Sequence, residues 1–147
     1  MQIRPYEHKV QYYETDKMGV VHHSNYIRWF EEARVDFLEQ VGMPYEQVEE
    51  SGLISPVLSV ESRFHSMTYF GDRVLVYPNI KTWNGVRLVI SYEVRDKATG
   101  ELRCSGSSTH CYLNEKNQVV NLKKANPALY EIYKQAQAQT AAQETGR

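Results

Sequence analysis

The chain has no excess of either charge. Its 147 residues carry 17 basic and 18 acidic side chains, for a formal net charge of −1. Proteins that hold nucleic acid through bulk charge carry a basic surplus, so no nucleic-acid partner is expected. Long apolar runs are also missing. Mean hydropathy is −0.57, and no stretch approaches the ~20 apolar residues of a spanning helix. The opening Met1-Gln2-Ile3-Arg4-Pro5-Tyr6 has no apolar signal-peptide core. The expectation is a cytoplasmic protein with no membrane partner. Cysteine is scarce. Cys104 and Cys111 fall in one expected strand, on opposite faces and ~23 Å apart if it is regular, too far for a disulfide. Two reduced structural thiols are expected, and no C-x-x-C pair is present.

Several catalytic signatures are absent as well. The sequence has no G-x-x-x-x-G-K-[ST], no G-x-G-x-x-G, no H-E-x-x-H and no G-x-S-x-G, which removes the common NTPase, dinucleotide, zinc-protease and serine-hydrolase readings. His22 and His23 are adjacent, so their side chains should point apart, and no further ligand has suggestive spacing. No metal site is expected.

What is present is one well-filled domain: 41% hydrophobic and 12% aromatic residues suffice for a continuous core at this length. Residues from about 3 to 15 alternate, with Tyr6, Val10 and Tyr12 on one face, as in a half-buried strand. A long helix is expected from Asn25 to Val41. Ile27, Phe30, Arg34, Leu38 and Val41 recur at helical spacing, beside Tyr26, Ala33 and Phe37, and that face reads as core rather than a ligand groove. Ser24 or Asn25 would cap its start, and Gly42-Met43-Pro44 ends it. Four strands follow, over about 53–65, 72–83, 86–95 and 102–113, with a primed hairpin turn at Asn84-Gly85. A last helix is expected over Asn126–Ala138, then a loose polar tail. The simplest assembly is an α+β fold in which an antiparallel sheet curls round one long helix. Residues 1–135 form the domain and 136–147 the tail.

The chemistry concentrates where the first strand meets the long helix. A helix start offers unpaired N–H groups and about half a positive charge. Asp16 lies just upstream, on a loop that Gly19 can bend. A carboxylate beside a site for developing negative charge is what acyl transfer needs. The plainer reading of Asp16, a turn or cap residue, stays open on these local features alone. His65 and His110 read as packed strand residues, and Arg28, Glu31, Glu32 and Asp36 as solvated helix charges.

The run Asp16-Lys17-Met18-Gly19-Val20-Val21-His22-His23-Ser24-Asn25-Tyr26, followed by Ile27-Arg28-Trp29-Phe30-Glu31-Glu32-Ala33-Arg34, resembles the 4-hydroxybenzoyl-CoA thioesterase-like branch of the hotdog acyl-CoA thioesterases. Tyr69-Phe70-Gly71-Asp72 is similar to that family too. The resemblance implies a hotdog fold of about five strands and hydrolysis of acyl-CoA to free acid and CoA. It implies Asp16 as nucleophile or general base, the His23 backbone N–H as oxyanion donor, and the His23 side chain near the substrate. Gly19, Val21, His22, Asn25 and Tyr26 match family positions around the substrate, although Asn25 and Tyr26 equally suit helix capping and packing. His22 stands where relatives carry Tyr or Trp. No cofactor is implied, since coenzyme A is part of the substrate. A homodimer or homotetramer with active sites at the dimer interface is implied, with CoA phosphates on basic residues among Arg63, Arg73, Lys81, Arg87 and Arg95. An acyl-carrier-protein thioesterase and a non-catalytic acyl-CoA-binding hotdog protein are the alternatives. A hotdog dehydratase would need a differently placed His and acid, and no such motif is seen.

Overall fold

The computed structural model describes residues 2–147. The elements run β1 (Tyr6–Lys9), α1 (Ser24–Gln40), α2 (Tyr45–Glu50), β2 (Val57–Phe64), β3 (Arg73–Trp83), β4 (Leu88–Asp96), β5 (Leu102–His110), α3 (Leu122–Ala125) and α4 (Pro127–Thr145). The strands form one five-stranded antiparallel sheet in the order β1-β3-β4-β5-β2. Period-two burial along β4 puts Leu88, Ile90, Tyr92 and Val94 inside, on the face that receives α1.

Helix α1 buries Tyr26, Trp29, Phe30, Ala33, Phe37 and Leu38, each large side chain worth roughly 1.5–3 kcal/mol. The expected stripe holds at Tyr26, Phe30, Ala33, Arg34, Phe37 and Leu38, but Ile27 is 41% exposed and Trp29 is fully buried in addition. Phe30 stacks on Tyr92 with centroids 4.4 Å apart. Gly106 on β5 makes room for it, because a Cβ there would lie 2.7 Å from the Phe30 ring and press on the Glu61 carbonyl.

Three expectations need correction. The first strand stops at Lys9, and Tyr12–Glu14 wind into a 3-10 turn. Period two is lost there, so Tyr12 is 77% exposed instead of sharing the face of Val10. The Asn84-Gly85 turn is not of the primed two-residue type. Trp83 pairs with Leu88 across four loop residues, only Gly85 of the two has positive φ, and the Asn84 Oδ1 accepts from the N–H groups of Val86 and Arg87 at 2.9 and 2.8 Å. The C-terminal segment is not loose, since α4 passes through the expected boundary at residue 135 and ends at Thr145. The cause is the outer edge of β3. Strand β1 pairs with it only as far as Val76, and α4 covers the rest. The Ile80 N–H donates to Thr140 Oγ1 at 3.0 Å, and Gln137 Nε2 donates to the Lys81 carbonyl at 3.1 Å. Ala136 and Thr140 are buried, and Gln143 exchanges two hydrogen bonds with the Ile3 backbone. An open sheet edge is a row of unpaired groups; the glutamines and threonine that looked unsuited to a core satisfy them.

Candidate active site

Asp16 opens a tight loop. Thr15 and Val21 pair as an antiparallel bridge, the Asp16 N–H donates to the Val20 carbonyl at 2.9 Å, and the Gly19 N–H donates to the Asp16 carbonyl at 3.0 Å. Gly19 has φ +80°, where a side chain would be strained. The loop is pinned to the segment before β3: Val20 pairs with Tyr69, and the Val21 N–H donates to the Thr68 carbonyl at 2.8 Å. The Tyr69-Phe70-Gly71-Asp72 turn holds that segment. Asp72 Oδ2 accepts from the Tyr69 N–H, and Gly71 and Asp72 exchange backbone bonds with Val10.

The Asp16 side chain is half-buried. Its Oδ1 accepts from the Met18 N–H at 2.8 Å, the turn role that a plain reading expects. Its Oδ2 accepts no hydrogen bond among the described residues.

The helix tip lies a few residues on. The His22 N–H donates to the Glu14 carbonyl at 2.8 Å, the Asn25 N–H to the His22 carbonyl at 3.0 Å, and the Ser24 N–H to His22 Nδ1 at 3.2 Å. The His23 N–H alone of these four amides has no acceptor among the described residues. His23 is the N-cap, with no side-chain cap of its own, and the first turn of α1 holds no acidic residue to offset the dipole. Ser24 and Asn25 therefore do not cap as expected. Ser24 is the first helical residue, with its hydroxyl 2.8 Å from His22 Nδ1, and Asn25 Nδ2 donates to the Glu14 carbonyl at 2.8 Å. The exposed rings of His22 and His23 do not point apart but lie 4.1 Å from one another, and His23 meets Phe64 of β2 edge-on at 6.3 Å.

Val21, Asn25 and Tyr26 are buried. The Tyr26 hydroxyl donates to Thr68 Oγ1 at 2.9 Å, and burial raises its pKa against the pull of that bond. These three side chains point inward, while Asp16 is half-buried and His22 and His23 are exposed. Of the basic residues, Arg73 pairs with Glu7, Arg95 with Glu93 and Lys81 reaches Glu144, leaving exposed Arg63 and Arg87 without an ion pair among the described residues.

Sequence reasoning missed two features. The first is Glu14, 4% exposed. Its carboxylate accepts from His8 Nε2, the Gln11 N–H and Trp29 Nε1, each at 2.8 Å. Desolvation pushes its pKa up, but these three donors and the His8 charge outweigh it and hold the carboxyl below its usual range. The second is a cavity of about 130 Å³ lined by Ile27, Phe30, Arg34, Val60, Tyr92 and His110, among others. Its α1 wall runs from Ile27, one helical turn past His23, to Arg34. Arg34 is 6% exposed and has no carboxylate partner among the described residues. Tyr92, Ser108 and His110 form a hydrogen-bonded chain on the wall, 2.7 Å at each step.

The family model described as the thioesterase-like superfamily matches residues 10–143. The chain belongs to that superfamily. As a thioesterase it has relatives of matching size. It is 31% identical to YneP of Bacillus subtilis, provisionally named an acyl-CoA thioesterase, over 92% of this chain and 99% of YneP. It is 28% identical to a 1,4-dihydroxy-2-naphthoyl-CoA hydrolase of Thermosynechococcus vestitus over 86% of this chain and 87% of that one. The crystal structure of a DHNA-CoA thioesterase from Staphylococcus aureus superposes with a TM-score of 0.88 at 31% identity, covering 100% of this chain and 97% of that one. The sheet and the long helix it holds are thus the hotdog fold, and this thioesterase carries its open helix tip at the same end as the Asp16 loop.

Proposed function

We propose that this thioesterase hydrolyses acyl-CoA to free acid and CoA, with the Asp16 carboxylate and the His23 N–H acting on the same carbonyl. One observation carries the reading: an amide without an acceptor at the positive end of a 17-residue helix shares a short loop with a carboxylate that keeps one oxygen free. The N–H receives the thioester oxygen as it becomes an oxyanion, and one such donor is worth about 3–4 kcal/mol of barrier. In the direct route Oδ2 of Asp16 attacks the carbonyl carbon. The C–S bond breaks, CoA leaves as thiolate and takes a proton from water, and a second water cleaves the mixed anhydride. In the other route Asp16 removes a proton from the attacking water. A carboxylate is a weak base at neutral pH, which favours direct attack. The His23 ring orients the acyl group or a water, and Gly19 keeps the loop bent.

The cavity below the tip takes the acyl group. Its 130 Å³ is close to the ~150 Å³ of a site that holds one benzene ring. Glu31 and Arg34 on its wall offer an acceptor and a donor to a polar substituent. This favours a single-ring aroyl or short acyl group, smaller than the two-ring naphthoyl group named for its relatives.

Strand β2 is the bare edge of the sheet, with Val57, Leu58, Val60 and Phe64 37–53% exposed. A second copy pairing there would continue the sheet and stand beside His23, which Phe64 already touches. A homodimer through β2, alone or doubled into a tetramer, is the assembly this edge supports. CoA is substrate, and no further cofactor enters. No helix among the described residues is long and apolar enough to cross a membrane, and a cytoplasmic setting suits a CoA substrate.

Thiol release from a panel of acyl-CoAs, aromatic and aliphatic, tests the reading beside Asp16→Asn. Turnover of at least one acyl-CoA is expected, with ~10³-fold loss in the variant. Turnover of acyl carrier protein thioesters alone, or binding without turnover, would replace it with one of the alternatives. Full activity in the variant would reject the site. Single turnover in ¹⁸O-water separates the routes: label in the Asp16 carboxylate excludes pure water attack.

A further inference from the structure

Glu14 occupies an unusual place in the chain's wiring. Its carbonyl accepts from the His22 N–H and from Asn25 Nδ2, both at 2.8 Å, and so it holds the helix tip. Its carboxylate accepts from β1 through His8, from its own turn through the Gln11 N–H, and from the body of α1 through Trp29. Asp16 follows two residues later. The Glu14 carbonyl and carboxylate belong to one residue, so a side chain anchored by three donors restrains the backbone that aims the carbonyl. The support continues outward: His8 Nδ1 lies 3.4 Å from Glu32 Oε2, which also accepts from the Tyr6 hydroxyl at 2.9 Å. Both ring nitrogens of His8 therefore face carboxylate oxygens, and the His8 ring packs 4.8 Å from the Trp29 ring.

From this geometry we infer that Glu14 is the positioning residue of the hydrolytic site, a two-ended clamp that sets the Asp16 carboxylate opposite the His23 N–H. The inference rests on the proposed roles of Asp16 and His23 and adds what holds them in register. Glu14 touches no substrate. Its removal should misplace the carboxylate without emptying the binding site. A displacement of the order of 1 Å costs about 10²-fold in rate.

The test compares Glu14→Gln, Trp29→Phe and Asp16→Asn with wild type, each checked for native fold by near-UV circular dichroism and thermal melting. Glu14→Gln keeps the shape but turns an amide N–H₂ toward one of the donors. A kcat loss of about 10- to 100-fold is expected, with KM within about threefold and CoA affinity unchanged. Trp29→Phe removes one donor and should lose about three- to tenfold, in the same split. Wild-type kcat in a folded Glu14→Gln protein overturns the inference. So does a loss that tracks the unfolded fraction and vanishes on cooling, because that marks a purely structural residue. If Glu14→Gln does not fold, the Trp29→Phe split decides by the same criteria. Full activity in Asp16→Asn removes the premise, and full activity in Glu14→Gln beside an inactive Asp16→Asn removes the clamp alone.

Discussion

The two ends of α1 are built in opposite ways. At the C-terminal end Phe37 and Leu38 are 1% exposed, and Phe37 stacks on Tyr133 of α4 at 6.1 Å. The Tyr133 hydroxyl shares a 2.6 Å hydrogen bond with Tyr112. At the N-terminal end His22 and His23 are exposed and one amide is left without an acceptor. A helix tip is a poor place to leave polar groups unpaired unless something else holds the helix. Here the closed end and the Glu14 clamp hold it, so the tip remains rigid while its N–H stays available. Function and stability are thus divided along a single helix, and substitutions at the two ends should separate them.

The largest effect belongs to the open end. Asp16→Asn should lower kcat about 10³-fold while the melting temperature stays within a few degrees, since Asn keeps an oxygen for the Met18 N–H. At the closed end Phe37→Ala should cost about 3–5 kcal/mol in denaturant unfolding, with activity per folded molecule unchanged. Loss of stability at Asp16 matching that at Phe37 would erase the distinction.

Between the ends sits His110. Burial, aided by the Arg34 charge, pulls its pKa down to about 4 against a weaker pull from the Pro56 carbonyl. The folded chain therefore keeps it neutral, whereas the unfolded chain takes up a proton below about 6.5. Stability is full above pH 6.5 and should fall toward pH 4 by up to about 3 kcal/mol. His110→Gln should flatten this decline in urea titrations across that range, and an unchanged slope would count against the assignment. The smallest effect is expected at the tip. His22→Ala removes the Nδ1 acceptor of the Ser24 N–H and should cost about 1 kcal/mol, visible as a small shift in the urea midpoint.

The elements that were legible in the sequence are those whose information is local. Val74, Val76 and Ile80 alternate, and α1 announces itself by helical spacing, so strands and helix fall within a few residues of their places. The run from Asp16 to Tyr26 is contiguous, and the proposed site could be read from it directly. What stayed hidden depends on distant partners. Glu14 reads as one more acid at the end of an expected strand until His8 and Trp29 arrive from six residues before and fifteen after. The Gln-Thr tail looked loose because its role is to satisfy the β3 edge some sixty residues away. The cavity joins Ile27 to His110, a juxtaposition no local pattern carries. The one local hint overlooked was the three-residue spacing from Gln11 to Glu14, which suits a side chain reaching back to a backbone N–H.

The central claim is spatial: one carbonyl fits between a carboxylate and a helix-tip amide. The most direct measurement is a crystal structure with a non-hydrolysable acyl-CoA in which a methylene separates the carbonyl from sulfur. The account predicts the ketone oxygen about 3 Å from the His23 nitrogen, its carbon facing the Asp16 carboxylate, and the acyl group entering the cavity beside Ile27 and Phe30. A ketone seated away from the α1 tip, with Asp16 turned to solvent in every subunit, would contradict it.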